Sequence, residues 1–95
     1  MLKVVRTPSA VRDLMAITDY IAVDSLTAAL GFYDEIDRVL TMIARYPAIG
    51  EAVEQLSPGL RRFTLGNYLL FYCHADDKIE LIRVLHGARD IDQLF

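Results

Sequence analysis

Leu60-Arg61-Arg62-Phe63-Thr64-Leu65-Gly66-Asn67-Tyr68-Leu69-Leu70-Phe71-Tyr72-Cys73-His74 is the stretch on which the fold turns. Gly66-Asn67 separates two β-rich runs and puts glycine at the first central position of a two-residue hairpin turn. The run after it, Tyr68 to His74, is almost continuously apolar, as expected of a middle strand covered on both faces. The run before it, Leu60 to Leu65, is the partner strand, opened by the turn Ser57-Pro58-Gly59. Ala75-Asp76-Asp77-Lys78 is a second polar turn, and Ile79 to Leu85 completes a three-stranded antiparallel meander.

Upstream, the period changes from strand to helix. Thr7 caps a helix that starts at Pro8, where the missing N–H costs nothing. Val11, Leu14, Ile17 and Ile21 form its apolar stripe, with Arg12, Asp13, Thr18 and Asp19 off it. A break at Val23-Asp24-Ser25, capped by Asp24 or Ser25, leads to a second stripe of Leu26, Ala29, Phe32 (or Tyr33), Ile36, Leu40 and Ile43. Tyr46-Pro47 ends that helix. Gly31 within it costs about 1 kcal/mol relative to alanine unless the helices approach closely there. Leu2 to Arg6 is a short strand at one sheet edge, and Glu51 to Leu56 takes no assignment. Asp90 is read as the cap of a final helical turn. The predicted fold is α+β, with a strand, a helical hairpin and a three-stranded meander, the helices packed on one sheet face. Residues 1–95 make one domain.

Composition narrows the function. Hydrophobic residues make up 54% and mean hydropathy is +0.28, more apolar matter than so short a chain needs for its own core, which points to a partner. No apolar run reaches the roughly 18 residues of a membrane span. The start of the chain lacks a signal-peptide apolar region, and one cysteine makes no internal disulfide, so a cytoplasmic protein is expected. The net charge of −3 argues against non-specific phosphate binding as the main activity. The acidic excess lies before residue 59. Beyond it the cations are Arg61, Arg62, Arg83 and Arg89, with Lys78 the one lysine. Arginine suits fixed, bidentate recognition.

Three constellations carry possible chemistry. Arg61, Arg62, Arg83 and Arg89 hold phosphates or an acidic partner if strand pairing gathers them; otherwise they are a salt-bridged or solvated face. His86, at a strand end beside Gly87, is a candidate acid or base, although a strand-end histidine is more often a hydrogen-bonded structural residue. Phe63, Tyr68, Phe71 and Tyr72 either stack bases or pack a core. Cys73 reads as a buried thiol, His74 as solvated, and Asp34, Glu35 and Asp37 as a solvated helix face. No metal-ligand spacing, phosphate loop or nucleophile elbow is present, and no cofactor is expected.

Several ordered segments then resemble the RelE/ParE superfamily of bacterial type II toxins. These are Thr7-Pro8-Ser9-Ala10 with Asp13-Leu14, Asp19-Tyr20-Ile21-Ala22, the P-x-x-G of Pro47 to Gly50, Gly59-Leu60-Arg61, Tyr68 to Tyr72, and the ending Arg83-Val84-Leu85-His86-Gly87-Ala88-Arg89-Asp90. The resemblance covers nearly the whole chain. It implies a toxin neutralised by a cognate antitoxin in a hetero-oligomer, the antitoxin lying on the helical hairpin and the C-terminal strand. ParE-like members stall DNA gyrase with cleaved DNA, and RelE-like members cut mRNA in the ribosome. The second activity needs clustered cations and an acid or base. This chain has only Lys3 and Lys78 as lysines and no tyrosine after His86. Its ending resembles ParE-like members more closely, which implies a gyrase poison recognising its target through Arg61, Arg62, Arg83, His86 and Arg89. The alternatives are a ribosome-dependent endoribonuclease with His86 catalytic, or an inactive toxin kept as an antitoxin-binding module.

Overall fold

The computed structural model describes residues 1–87 and 94–95. A strand β1 (Lys3–Arg6) leads into helices α1 (Pro8–Asp24) and α2 (Leu26–Arg45), followed by β2 (Glu51–Ala52), β3 (Leu60–Leu65), β4 (Tyr68–Ala75) and β5 (Lys78–His86). They form one five-stranded sheet in the order β1-β5-β4-β3-β2. The meander is as read, and β1 takes an edge, pairing parallel with β5. One strand is additional: β2, whose two residues are too few to show a period, pairs with Arg61 and Arg62.

Local chemistry sets the helix limits. The Thr7 hydroxyl accepts the Ala10 N–H at 3.2 Å, and Pro8 follows in the first helical position. Ser25 serves both helices, its N–H closing α1 on the Ile21 carbonyl and its hydroxyl accepting the Ala28 N–H at 3.1 Å. Asp24 is therefore the last residue of α1 rather than the cap.

Both sheet faces are covered. Under the helices, Ala10, Leu14, Ile36, Val39, Leu40 and Ile43 pack on Leu70, Tyr72, Ile79, Leu81 and Val84. On the far face, Phe71, Leu60 and Leu85 form a second core with Val53 and Leu56 of the β2–β3 connection and with Leu94. At roughly 25 cal/mol per Å² of apolar surface, a second covered face is a substantial gain for a short chain.

Three expectations about the core change. Ala10, not Val11, is the fully buried residue in the first turns of α1, because a methyl side chain lets the helix sit close to the sheet; Val11 is 40% exposed. Leu26 is 67% exposed, since α2 begins at the hairpin turn before reaching the core. Cys73 is only half-buried, at the margin of the second core. Nothing lies within 4 Å of a side chain added at Gly31, so no close helix approach explains that glycine.

Candidate functional site

β4 and β5 run antiparallel with Tyr68 opposite His86, and the Gly87 N–H closes this end of the sheet on the Asn67 carbonyl at 2.8 Å. The last turns of α1 pass over the same end. Ala16, Ile17 and Tyr20 of α1, Asn67 and Tyr68 of the hairpin, and His86 together line an open cavity of about 460 Å³. Its walls are mostly apolar and aromatic. The Tyr68 ring stands between two others: Phe32 of α2 tilts against it at 5.1 Å between centroids, and His86 meets it edge-on at 5.4 Å and 86°. His86 is exposed at the rim. Hydroxyl, amide and imidazole groups on an apolar bowl are suited to gripping an aromatic or apolar group with a polar edge.

The arginines do not converge on this cavity. Arg61 donates to the Gly50 carbonyl at 2.7 Å and to that of Ala48 at 3.4 Å, tying β3 to the loop after α2. Arg62 pairs with Glu51 across the β2–β3 ladder at 2.6 Å. Arg83 makes a two-point contact with Asp13 of α1, Nε to Oδ2 at 2.7 Å and Nη2 to Oδ1 at 3.0 Å. That contact holds the Arg83 proton more firmly than usual, burial opposing it only in part. Arg62 and Arg83 share one cross-strand row through Phe71, but their partners lie on different elements. Arg89 lies outside the described residues, as does the helical turn expected at Asp90.

Among the other candidates, Phe71 and Tyr72 are fully buried and Phe63 packs against the helix-side core, so of the aromatic set Tyr68 alone reaches the cavity. His74 is exposed, as expected of a residue near a turn. Asp37 pairs with Arg6, whose guanidinium also lies over the Tyr33 ring, and Glu35 pairs with Arg38, which lowers the Glu35 carboxyl below its usual range. Sequence reasoning missed Tyr20, Asn67 and the α1 wall as parts of one site. The available signal was that Tyr20, a large aromatic residue, stands off the buried stripe of α1. Apolar side chains also stay uncovered on the hairpin, among them Met15, Val23, Leu26 and Leu30. No helix among the described residues is long and apolar enough to cross a membrane.

Residues 4–91 match the family model described as the ParE toxin of type II toxin-antitoxin systems, parDE. Toxin ParE1 of Mycobacterium tuberculosis (strain CDC 1551 / Oshkosh) is 33% identical over 60 residues, which are 62% of this chain and 61% of that protein. Toxin ParE1 of Caulobacter vibrioides (strain ATCC 19089 / CIP 103742 / CB 15) is 36% identical over 60 residues, 63% of this chain and 62% of the other. The matched part thus spans about three fifths of those relatives' length. A solved chain of the "Chromosomal ParDE TA system from P. aeruginosa" superposes with a TM-score of 0.75 at 22% identity, covering 90% of this chain and 96% of that one.

Proposed function

The chain belongs to the family of ParE toxins of type II toxin-antitoxin systems, and from that premise we propose that it arrests growth by binding DNA gyrase and stalling it with cleaved DNA. A cognate antitoxin holds it in check in a cytoplasmic hetero-oligomer. One observation carries the preference for a poison over a nuclease: Arg61, Arg62 and Arg83 are all engaged inside the chain. RNA cleavage needs cations aimed at a phosphate that gains charge in the transition state. Among the described residues, those that line the cavity with His86 are Tyr68, Tyr20, Ile17, Ala16 and Asn67. Such a bowl serves adhesion to another protein better than stabilisation of an anion. Target contact is assigned to this cavity, with His86 at its rim and Arg89 following in sequence. The uncovered apolar side chains of the hairpin suit an antitoxin segment with an apolar face.

The test uses purified gyrase and relaxed plasmid. The protein inhibits supercoiling and accumulates cleaved complex, His86→Ala and Tyr20→Ala weaken both effects, and both variants keep the wild-type melting curve. Unchanged gyrase activity at large molar excess defeats the proposal. Cleavage of mRNA on translating ribosomes, lost in His86→Ala, would establish the nuclease reading in its place. Expression without growth arrest, together with tight antitoxin binding, would leave a binding module.

A further inference from the structure

Side chains along a strand alternate between the two faces of its sheet. In β5, Ile79 and Leu81 belong to the core under the helices. Strict alternation from Leu81 would send Arg83 and Leu85 to that side and Ile82, Val84 and His86 to the other. The molecule does otherwise. Val84 lies in the helix-side core, Leu85 lies in the far-side core, and His86 lines the cavity with three residues of α1. The pairing with β4 gives the reason: Tyr72 stands opposite Leu81 and Phe71 opposite Arg83, so Ile82 is one residue too many for its partner strand. Such a bulge re-aims every side chain that follows it.

The bulge is gripped by two residues of the segment from the end of β1 into α1. The Thr7 hydroxyl donates to the Ile82 carbonyl at 3.0 Å, and the Thr7 N–H to that of Leu81 at 3.1 Å. One turn into α1, Asp13 receives three donors: Arg83 Nε and Nη2, and the Val84 N–H at 3.0 Å. The Asp13 and Arg83 side chains are only 15% and 24% exposed. A sheltered ion pair is weak evidence for stability but suits a register lock, because any register that parts the two charges leaves each poorly solvated.

We infer that Asp13 and Arg83 are positioning residues that lock the β5 bulge and thereby turn His86 onto the α1 side of the sheet. Their importance for activity rests on the reading that the His86 cavity meets the target. Asp13 touches no target itself; it acts through the path of β5. An ordinary structural bridge would lower the stability of the whole domain evenly. A register lock, when broken, changes the end of β5 selectively.

The experiment compares the isotope-labelled full chain with its Asp13→Ala, Asp13→Asn and Arg83→Gln variants by NMR. In Asp13→Ala the cross-peaks between the His86 and Tyr68 rings disappear. The Val84 amide then exchanges at least about tenfold faster than in wild type, while Leu70 and Ile79 change far less. Asp13→Asn, which keeps an acceptor for Val84, and Arg83→Gln, which keeps the carboxylate, each retain part of both signals. If Asp13→Ala does not fold, these two variants decide on the same readouts. The inference is overturned if folded Asp13→Ala keeps the ring cross-peaks, if Asp13→Asn and Arg83→Gln both keep them at full wild-type intensity, or if Val84 exchange rises no more than that of Leu70. Neither readout involves gyrase, so a failure of the proposed activity and a failure of the lock are separate results.

Discussion

Gly50→Ala is the substitution whose cost can be worked most directly from the structure. Tyr72 is fully buried beneath the helices, and its hydroxyl is the one polar atom it brings into the core. That hydroxyl donates to the Pro47 carbonyl at 2.7 Å and accepts the Gly50 N–H at 2.9 Å, holding the loop after α2 against the sheet. A Cβ on Gly50 would stand 2.6 Å from the hydroxyl oxygen, 2.8 Å from Cε1 and 3.0 Å from the Arg62 carbonyl. All three neighbours are fixed, so the ring or the loop must shift. Overpacking costs about 1–3 kcal/mol, and a displaced hydroxyl forfeits two hydrogen bonds at roughly 1 kcal/mol each. The expected loss is about 3–5 kcal/mol, a large part of the stability of a domain this size. Tyr72→Phe alone should cost about 1–2 kcal/mol, because it leaves the Gly50 N–H and the Pro47 carbonyl without their partner. The double variant should cost less than the sum by about 2 kcal/mol or more, since both single variants lose the same two hydrogen bonds and the worst clash disappears with the hydroxyl while the Cε1 contact stays. Urea unfolding followed by circular dichroism measures all three. A Gly50→Ala variant within about 0.5 kcal/mol of wild type, or strict additivity in the double variant, would refute the argument.

Gly31→Ala should act in the opposite direction. The position is helical, exposed and open to a side chain, so alanine stabilises by about 0.5–1 kcal/mol through helix propensity and a less disordered unfolded chain. A lowered melting temperature would contradict this. Cys73 supplies a pH dependence. Burial first, then the Glu80 and Glu54 carboxylates, push its thiol up. Below about pH 8.5 the thiol is protonated in both states and contributes no slope; above it the unfolded chain gives up the proton first, so stability falls as pH rises towards the folded value. Urea midpoints of wild type should therefore drop relative to Cys73→Ser between about pH 8.5 and 9.5, and parallel curves would show the account to be wrong.

Features governed by chain neighbours were legible in the sequence. Thr7-Pro8 started a helix, Ser25 was one of two caps offered for the next, and Gly66-Asn67 turned the hairpin with Gly66 at a φ of +58°. Each of these depends on groups within four residues of one another. What escaped depended on contacts across the fold. Val11 satisfies a helical stripe as well as Ala10 does, and only the close approach of α1 to the sheet selects the smaller residue. The partners of the arginines were equally hidden, since Asp13 and Arg83 are 70 residues apart. From the sequence, Arg83 was as much a recognition residue as Arg62. The cavity too required α1 and the end of β5 to be brought together, which no spacing within either element announces.

The surplus of apolar side chains reads differently once both faces of the sheet are seen. Taken alone, 54% hydrophobic residues pointed to apolar surface beyond the core, awaiting a partner. Part of that matter in fact builds the second core, where Val53, Leu60, Phe71 and Leu85 are at most 2% exposed. That face is covered by the chain itself, so it has little to offer a partner. Among the described residues, much of what remains uncovered lies on the helical hairpin, with Val23 at 85% exposure, Leu26 at 67% and Met15 and Leu30 at 60%. Tyr20, at 75%, belongs both to this hairpin surface and to the wall of the cavity. The two surfaces assigned to partners therefore meet at one residue. A segment laid along the end of the hairpin would cover Tyr20 and narrow access to His86, so binding there and contact through the cavity compete by geometry, without any change in the fold.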